Sequence, residues 1–153
     1  MIDNKCQKFK VLRATKLWQQ AGAYSVRIQG MGRQHHISLD KEFDEHDGPD
    51  TKYIVILDDE FPVATCRFYE VSENSVMLGR VVVLPEYRGI GLGIKTIEEA
   101  ENWILELGFS QVVIESREEV TEFYKKLGYE LVSDAVIEGP TFRCVTMKKE
   151  INH

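Results

Sequence analysis

Val81-Val82-Val83-Leu84-Pro85-Glu86-Tyr87-Arg88-Gly89-Ile90-Gly91-Leu92-Gly93 is the stretch whose reading decides the fold. Residues from Ser75 to Leu84 are mostly apolar, with three consecutive valines, which suits a strand covered on both faces. Pro85 removes an N–H donor and ends the ladder. Gly89, Gly91 and Gly93 allow a tight turn and close backbone approach to a ligand. From Ile94 onward the apolar residues fall at helical spacing, so unpaired N–H groups at the helix start face the turn. With the positive end of the helix dipole and Arg88, they make a site for phosphate groups. A glycine-rich turn without a ligand is the plainer alternative.

Spacing narrows the ligand. A Walker loop needs Gly-x-x-x-x-Gly-Lys-Ser/Thr, which Ile94-Lys95-Thr96 after Gly93 does not supply. A dinucleotide fingerprint needs a third glycine where this chain has Ile94 or Thr96. What remains, Arg88-Gly89-Ile90-Gly91-Leu92-Gly93, has the form Arg/Gln-x-x-Gly-x-Gly/Ala. It resembles the acetyl-CoA pyrophosphate loop of the Gcn5-related N-acetyltransferase (GNAT) superfamily, and Arg80 to Tyr87 resembles that family's preceding strand and loop.

The chain has 153 residues, 43% of them hydrophobic and 29% charged. Those values suit a single soluble domain over residues 1–153. No stretch reaches the length of a membrane span, and Met1 to Lys8 lacks the apolar core of a signal peptide. Cys6, Cys66 and Cys144 are odd in number and widely spaced, so neither structural disulfides nor a cysteine zinc site is expected. A reducing cytoplasm is the expected setting. A net charge of −6 argues against a nucleic-acid partner and is compatible with a cationic small molecule.

Phe9 to Arg13 alternates as a short strand. Thr15 then caps a helix in which Leu17, Trp18, Ala21, Tyr24, Ser25 and Ile28 share a face, with Gly30 and Gly32 as terminators. The acid-rich run Asp40 to Asp50 reads as a solvated surface loop or as a wall of an acceptor pocket. Its order of acids does not match a calcium loop, and no metal is expected. His35 and His36 read as polar residues at a helix end. Thr51 to Leu57 and Phe61 to Val71 form an antiparallel hairpin. After the glycine loop, Ile97, Ala100, Trp103, Ile104 and Leu107 define a buried helix face, closed by Gly108. Gln111 to Glu115 is a strand, and Ser116-Arg117-Glu118-Glu119 fits a capping box. The next helix buries Val120, Phe123, Tyr124 and Leu127 and stops at Gly128. Tyr129 to Ser133 and Phe142 to Lys149 are the last strands, joined by a turn at Gly139-Pro140. The expected fold class is α/β, a central mixed sheet flanked by helices, with the glycine loop at the carboxyl end of a parallel strand.

A second motif strengthens the resemblance. Phe123-Tyr124-Lys125-Lys126-Leu127-Gly128-Tyr129 is similar to the family's Phe-Tyr-x-Lys-x-Gly-Phe/Tyr signature. The resemblance spans roughly Phe9 to Glu150 and is strongest from Ser75 to Tyr129. It implies direct acetyl transfer from acetyl-CoA, as co-substrate, to an amine. By the same resemblance Val81, Val82, Val83, Arg88, Gly89, Ile90, Gly91, Leu92, Gly93 and Tyr124 bind the cofactor. A backbone amide at Val82 or Val83 would stabilise the thioester oxygen, and Tyr124 would serve the departing thiolate. Packing in an amphipathic helix is the plainer role for Tyr124. Arg117 stands where many family members carry Asn, so the resemblance does not carry the family's pantetheine contact over to that position. Glu70, Glu115, His46, Asp47 and water all remain open as general base.

The expected acceptor is a small-molecule amine, polyamines included. A protein lysine or N-terminus, or a non-catalytic acyl-CoA module, is the alternative. No membrane partner is expected, and a homodimer is compatible with the sequence.

Overall fold

The computed structural model describes residues 8–139 and 142–152. Cys6 and Pro140, on which two of these expectations rest, lie outside them, as does the start through Gln7. An eight-stranded sheet organises the described chain in the order β1-β2-β3-β4-β5-β8-β6, with β7 pairing on β8. Its strands are β1 Phe9–Arg13, β2 Lys52–Asp58, β3 Phe61–Glu70, β4 Ser75–Val83, β5 Gln111–Arg117, β6 Glu130–Leu131, β7 Ile137–Glu138 and β8 Arg143–Glu150. β4 and β5 pair in parallel and the other pairings are antiparallel, so the sheet is mixed. The final strands differ from expectation: the one beginning near Tyr129 is only two residues long.

The helices are α1 Leu17–Arg27, α2 Leu39–Glu42, α3 Leu92–Glu106 and α4 Thr121–Lys126. α1 packs through Ala23 and Tyr24 on Tyr53, whereas α3 packs through Ile97, Ala100 and Ile104 on Ile54 and Phe68. Successive strand residues face opposite sides, so α1 and α3 cover the two faces of the sheet.

α1 corrects several expectations. Lys16, not Thr15, is its N-cap, and the Gln19 side chain reaches back to accept from the N–H groups of Thr15 and Lys16 at 2.8 and 2.9 Å. Its inward face carries Gln19, Ala23, Val26 and Arg27, while Leu17 is 81% and Trp18 55% exposed. Gly30 and Gly32 do not end the helix. They sit buried in a π turn, Ile28–Gly32, and one further turn runs to His35 before His36 breaks it at φ 56°. The wide turn brings the chain so close to β4 that a Cβ on Gly30 would lie 2.4 Å from Val82 Cγ1.

The capping box at Ser116 does not form. Ser116 is a strand residue opposite Val145, and α4 begins only after a 3-10 turn at Glu118–Val120. On α3, Leu107 lies past the helix end and outside the core.

Candidate active site

β4 and β5 pair only from Ser75–Gln111 to Leu78–Ile114. Beyond that the strands diverge, and a cavity of about 710 Å³ opens between Gly79–Val83 on one side and Ile114–Arg117 on the other. The divergence begins at a bulge. Arg67 faces Gly79 and Thr65 faces Val82, so Arg80 and Val81 together oppose Cys66. Arg80 takes φ +50°, a left-handed conformation that few non-glycine residues adopt.

The bulge reverses which residues face which side. Before it, Val76 and Leu78 point to the α3 core; after it, Val81 packs against that core and Val83 lies beside Gly93. Val82 turns instead to α1, packing with Val26. The cavity therefore runs through the sheet. Val81, Val83, Gly93, Val120, Phe123 and Tyr124 line its α3–α4 side, and Met31, His35, Arg80, Glu115, Arg117, Phe142 and Cys144 also line it.

At one end lies the glycine turn. Gly89 and Gly91 take φ +83° and +88°, and a Cβ on either would meet no atom of the described residues within 4 Å. Their need for glycine is conformational, and the space over them is open. Gly91 is the N-cap of α3, and the first helical bond runs from the Lys95 N–H to the Gly91 carbonyl at 3.1 Å. The N–H groups of Leu92, Gly93 and Ile94 are left without intrahelical partners at a positive dipole end. Arg88 donates from Nε to the Val83 carbonyl at 3.0 Å, which holds its guanidinium beside the turn. The arrangement suits a pyrophosphate. Of the residues expected to bind the cofactor, Val81, Val82, Val83, Arg88, Gly89, Gly91, Leu92, Gly93 and Tyr124 line the cavity; Ile90 does not and points outward, 44% exposed.

Three tyrosines stand near the cavity, and their phenols differ. Tyr87 donates to Asp58 at 2.6 Å and Tyr129 donates to Glu101 at 2.7 Å. Tyr124 is buried against Phe123 and Tyr129, and its hydroxyl has no hydrogen-bond partner among the described residues. Burial raises its pKa, with Cys66 adding to the rise and Arg117 opposing it, so the phenol stays protonated.

The acid-rich segment is solvated at Asp40, Glu45 and Asp50, but Glu42, Asp44 and Asp47 turn inward, and no residue of it lines the cavity. Arg27, fully buried, donates to Glu42 and Asp47 at 2.9 and 2.7 Å; Arg67 bonds Asp44 and Asp47, and Arg80 reaches Asp44 at 3.2 Å. Tyr53 completes the cluster by donating to Asp47 at 2.8 Å. Arg67 Nε is buried without a partner. These acids neutralise arginines that would otherwise be buried charges.

Among the base candidates, Glu115 alone lines the cavity. Asp47 is consumed by Arg27, His46 is stacked on Tyr69 with ring centroids 4.3 Å apart, and Glu70 ends β3 in solvent. Sequence reasoning left His35, Phe142 and Cys144 out of the site. The His35 and Phe142 rings meet edge to face at 5.2 Å, tying the end of the first helical segment to the start of β8. Among the described residues no group of three metal-ligating side chains occurs, and no helix is long and apolar enough to cross a membrane.

Known proteins share this architecture. The description acetyltransferase (GNAT) family belongs to a family model that matches residues 14–129. An uncharacterised acetyltransferase of Streptococcus pyogenes serotype M3 is 33% identical over 110 residues, covering 72% of this chain and 77% of its own. The uncharacterised protein YyaT of Bacillus subtilis is 31% identical over 132 residues, covering 85% and 88%. A crystal structure described as a candidate N-acetyltransferase from Lactobacillus plantarum superposes with TM-score 0.86 at 26% identity, over 93% of this chain and 97% of that one. The PaiA N-acetyltransferase of Thermoplasma acidophilum, solved with coenzyme A, shares the fold at TM-score 0.69 and 13% identity, over 94% and 99%. By sequence and by fold, the chain belongs to the acetyltransferase (GNAT) family and is an N-acetyltransferase.

Proposed function

We propose that the cleft between β4 and β5 transfers acetyl from acetyl-CoA to the amine of a small molecule. The observation that carries the reading is that one cavity joins a phosphate-ready helix end to an unpartnered phenol and, across the sheet, to a carboxylate. Contact between His35 and Phe142 narrows the α1 side, which favours a compact acceptor over an extended peptide.

In this reading the N–H groups of Leu92, Gly93 and Ile94, with Arg88, hold the pyrophosphate. Acetyl-CoA, when bound, supplies an activated thioester. β4 has no β5 partner beyond Leu78, and the Leu84 N–H goes to Val63 on β3, so by strand alternation the Val83 N–H faces the cavity and can be offered to the thioester oxygen as negative charge develops there. Glu115 takes a proton from the acceptor ammonium, directly or through water, because the protonated amine has no lone pair. The amine nitrogen bonds to the acetyl carbon as the carbon–sulfur bond breaks. Tyr124 donates its proton or a hydrogen bond to the departing sulfur and is reprotonated from solvent.

Thiol release from acetyl-CoA, followed across monoamines, amino acids, polyamines and peptides, tests the proposal. Turnover with small amines supports it. Turnover confined to peptides assigns the enzyme a protein acceptor, and none with any amine, despite acetyl-CoA binding, points to a non-catalytic module.

A further inference from the structure

We infer that the acceptor is zwitterionic, an amine carrying a carboxylate or phosphonate a few bonds away; this rests on the small-amine reading above. Glu115 and Arg117 are two residues apart on β5, so their side chains leave the same face of the strand, with Cα atoms about 6–7 Å apart. Both line the cavity, and Cys144 on the neighbouring strand sits between their fields. Burial raises the Cys144 thiol pKa, Glu115 adding to the rise and Arg117 opposing it.

Neither charge has a close ion pair among the described residues. Among the described residues Glu115 has no ion pair. Among the described residues Arg117 has one ion-pair partner, Glu119, which is mostly exposed and lies at 3.6 Å, a long contact of the kind that contributes little. The Arg117 guanidinium instead lies over the Phe142 ring, 4.6 Å from its centroid. The ring contact holds the guanidinium at the cavity, where a guanidinium can bind an anion in two-pronged fashion. The cavity thus presents a carboxylate with no ion pair among the described residues and a guanidinium beside Phe142, two residues apart on one strand face, a pairing that the two charges of an amino acid or aminoalkylphosphonate match.

The other charges point the same way. Asp44, Asp47 and Glu42 are spent on buried arginines and line no part of the cavity. A polyamine would find one carboxylate facing it, with Arg117 repelling its second nitrogen. The acidity of the chain as a whole, −6, is not the charge of its pocket.

The test is thiol release by the full chain with matched acceptors: each α-amino acid against its decarboxylated amine, 2-aminoethylphosphonate against ethylamine, and spermidine. At least one zwitterion is expected to exceed its decarboxylated partner in kcat/KM by about tenfold or more, the worth of one charged contact. Arg117→Gln should shrink that ratio toward one, and Arg117→Lys should restore part of it. Titration of the same pairs onto the CoA-loaded protein reads the preference without turnover. Equal use of both partners by the unaltered enzyme, or spermidine as the best acceptor, overturns the zwitterion while leaving a small amine in place. Activity on peptides alone overturns both.

Discussion

Arg27 donates from Nε to a Glu42 carboxylate oxygen at 2.9 Å, and that carboxylate lies 3.5 Å from Arg80 at the cavity wall. The buried cluster is therefore mechanically continuous with the bulge that opens the site. Removing one partner of such a cluster leaves carboxylates buried and unpaired. Arg27→Met is expected to lower unfolding free energy by about 3–5 kcal/mol, read by urea denaturation. Turnover should fall as well at temperatures where the variant is still folded, because Arg80 loses its anchored partners.

The same cluster sets the response to acid. Burial opposes ionisation of Asp47, but hydrogen bonds from Arg27 and the Asp44 backbone, with the charges of Arg27 and Arg67, outweigh it and hold the pKa well below the ordinary value. Asp44 is lowered in the same sense by Arg67 against its own burial. A carboxyl lowered in the folded state contributes stability that is fully present above the unfolded value, about 3.9, and is lost as pH falls toward the folded one. Stability should therefore drop progressively below about pH 4, and Asp47→Asn should flatten that drop while lowering stability at neutral pH. Thermal melts from pH 7 to pH 3 measure both.

Tyr124 carries a testable division between binding and chemistry. Its hydroxyl has no hydrogen-bond partner among the described residues, so Tyr124→Phe is expected to cost the fold little. Removing a general acid lowers turnover by roughly 10²-fold or more, whereas the acetyl-CoA dissociation constant should stay within a few-fold of the starting value. Stopped thiol-release assays and calorimetric titration separate the two quantities. Unchanged turnover would remove Tyr124 from the chemistry.

Gly91 separates backbone strain from ligand exclusion. A side chain there meets open space, so the fold bears only the left-handed φ of +88°, a cost of about 1–2 kcal/mol. Gly91→Ala and Gly91→Asp should thus show similar, modest losses in melting temperature. Their CoA affinities should differ widely, Gly91→Asp losing binding altogether because a carboxylate would stand where the phosphates must. Equal, retained affinity in titrations with CoA would refute the pyrophosphate assignment of this turn.

The longer strands and α3 were legible because each is signalled by its own neighbours, by apolar runs, a helical period and a glycine at each end, whereas β6 is shorter than expected and β7 was not expected. The glycine turn was legible for the same reason, its parts being consecutive. α1 was legible as a helix, but its buried face was not, since Arg27 goes inward only because Glu42 and Asp47 arrive from another segment. Ser116 carried a good capping pattern and lost it to pairing with Val145 across β5 and β8. On the far side of the cavity Glu115 was legible only as one base candidate among several, and Phe142 and His35 were not legible, because they come from distant segments. Only the divergence of β4 from β5 makes them neighbours.

Gly30 and Val82 supply the sharpest check on that geometry. The π turn after α1 places Gly30 where a Cβ would lie 2.4 Å from Val82 Cγ1, far inside contact distance. Val82 is buried and cannot swing into solvent. Gly30→Ala must displace either the helix or β4, at an expected cost of about 1–3 kcal/mol for an overpacked site. Val82→Ala alone leaves a small void and is destabilising too. The double variant removes the clashing methyl and partly fills the void, so it should be more stable than the sum of the two single losses predicts. A double-mutant cycle by urea denaturation should give a coupling of about 1 kcal/mol or more. If β4 is the element that yields in Gly30→Ala, acetyl transfer falls with stability and returns in the double variant. If the helix yields, only stability changes.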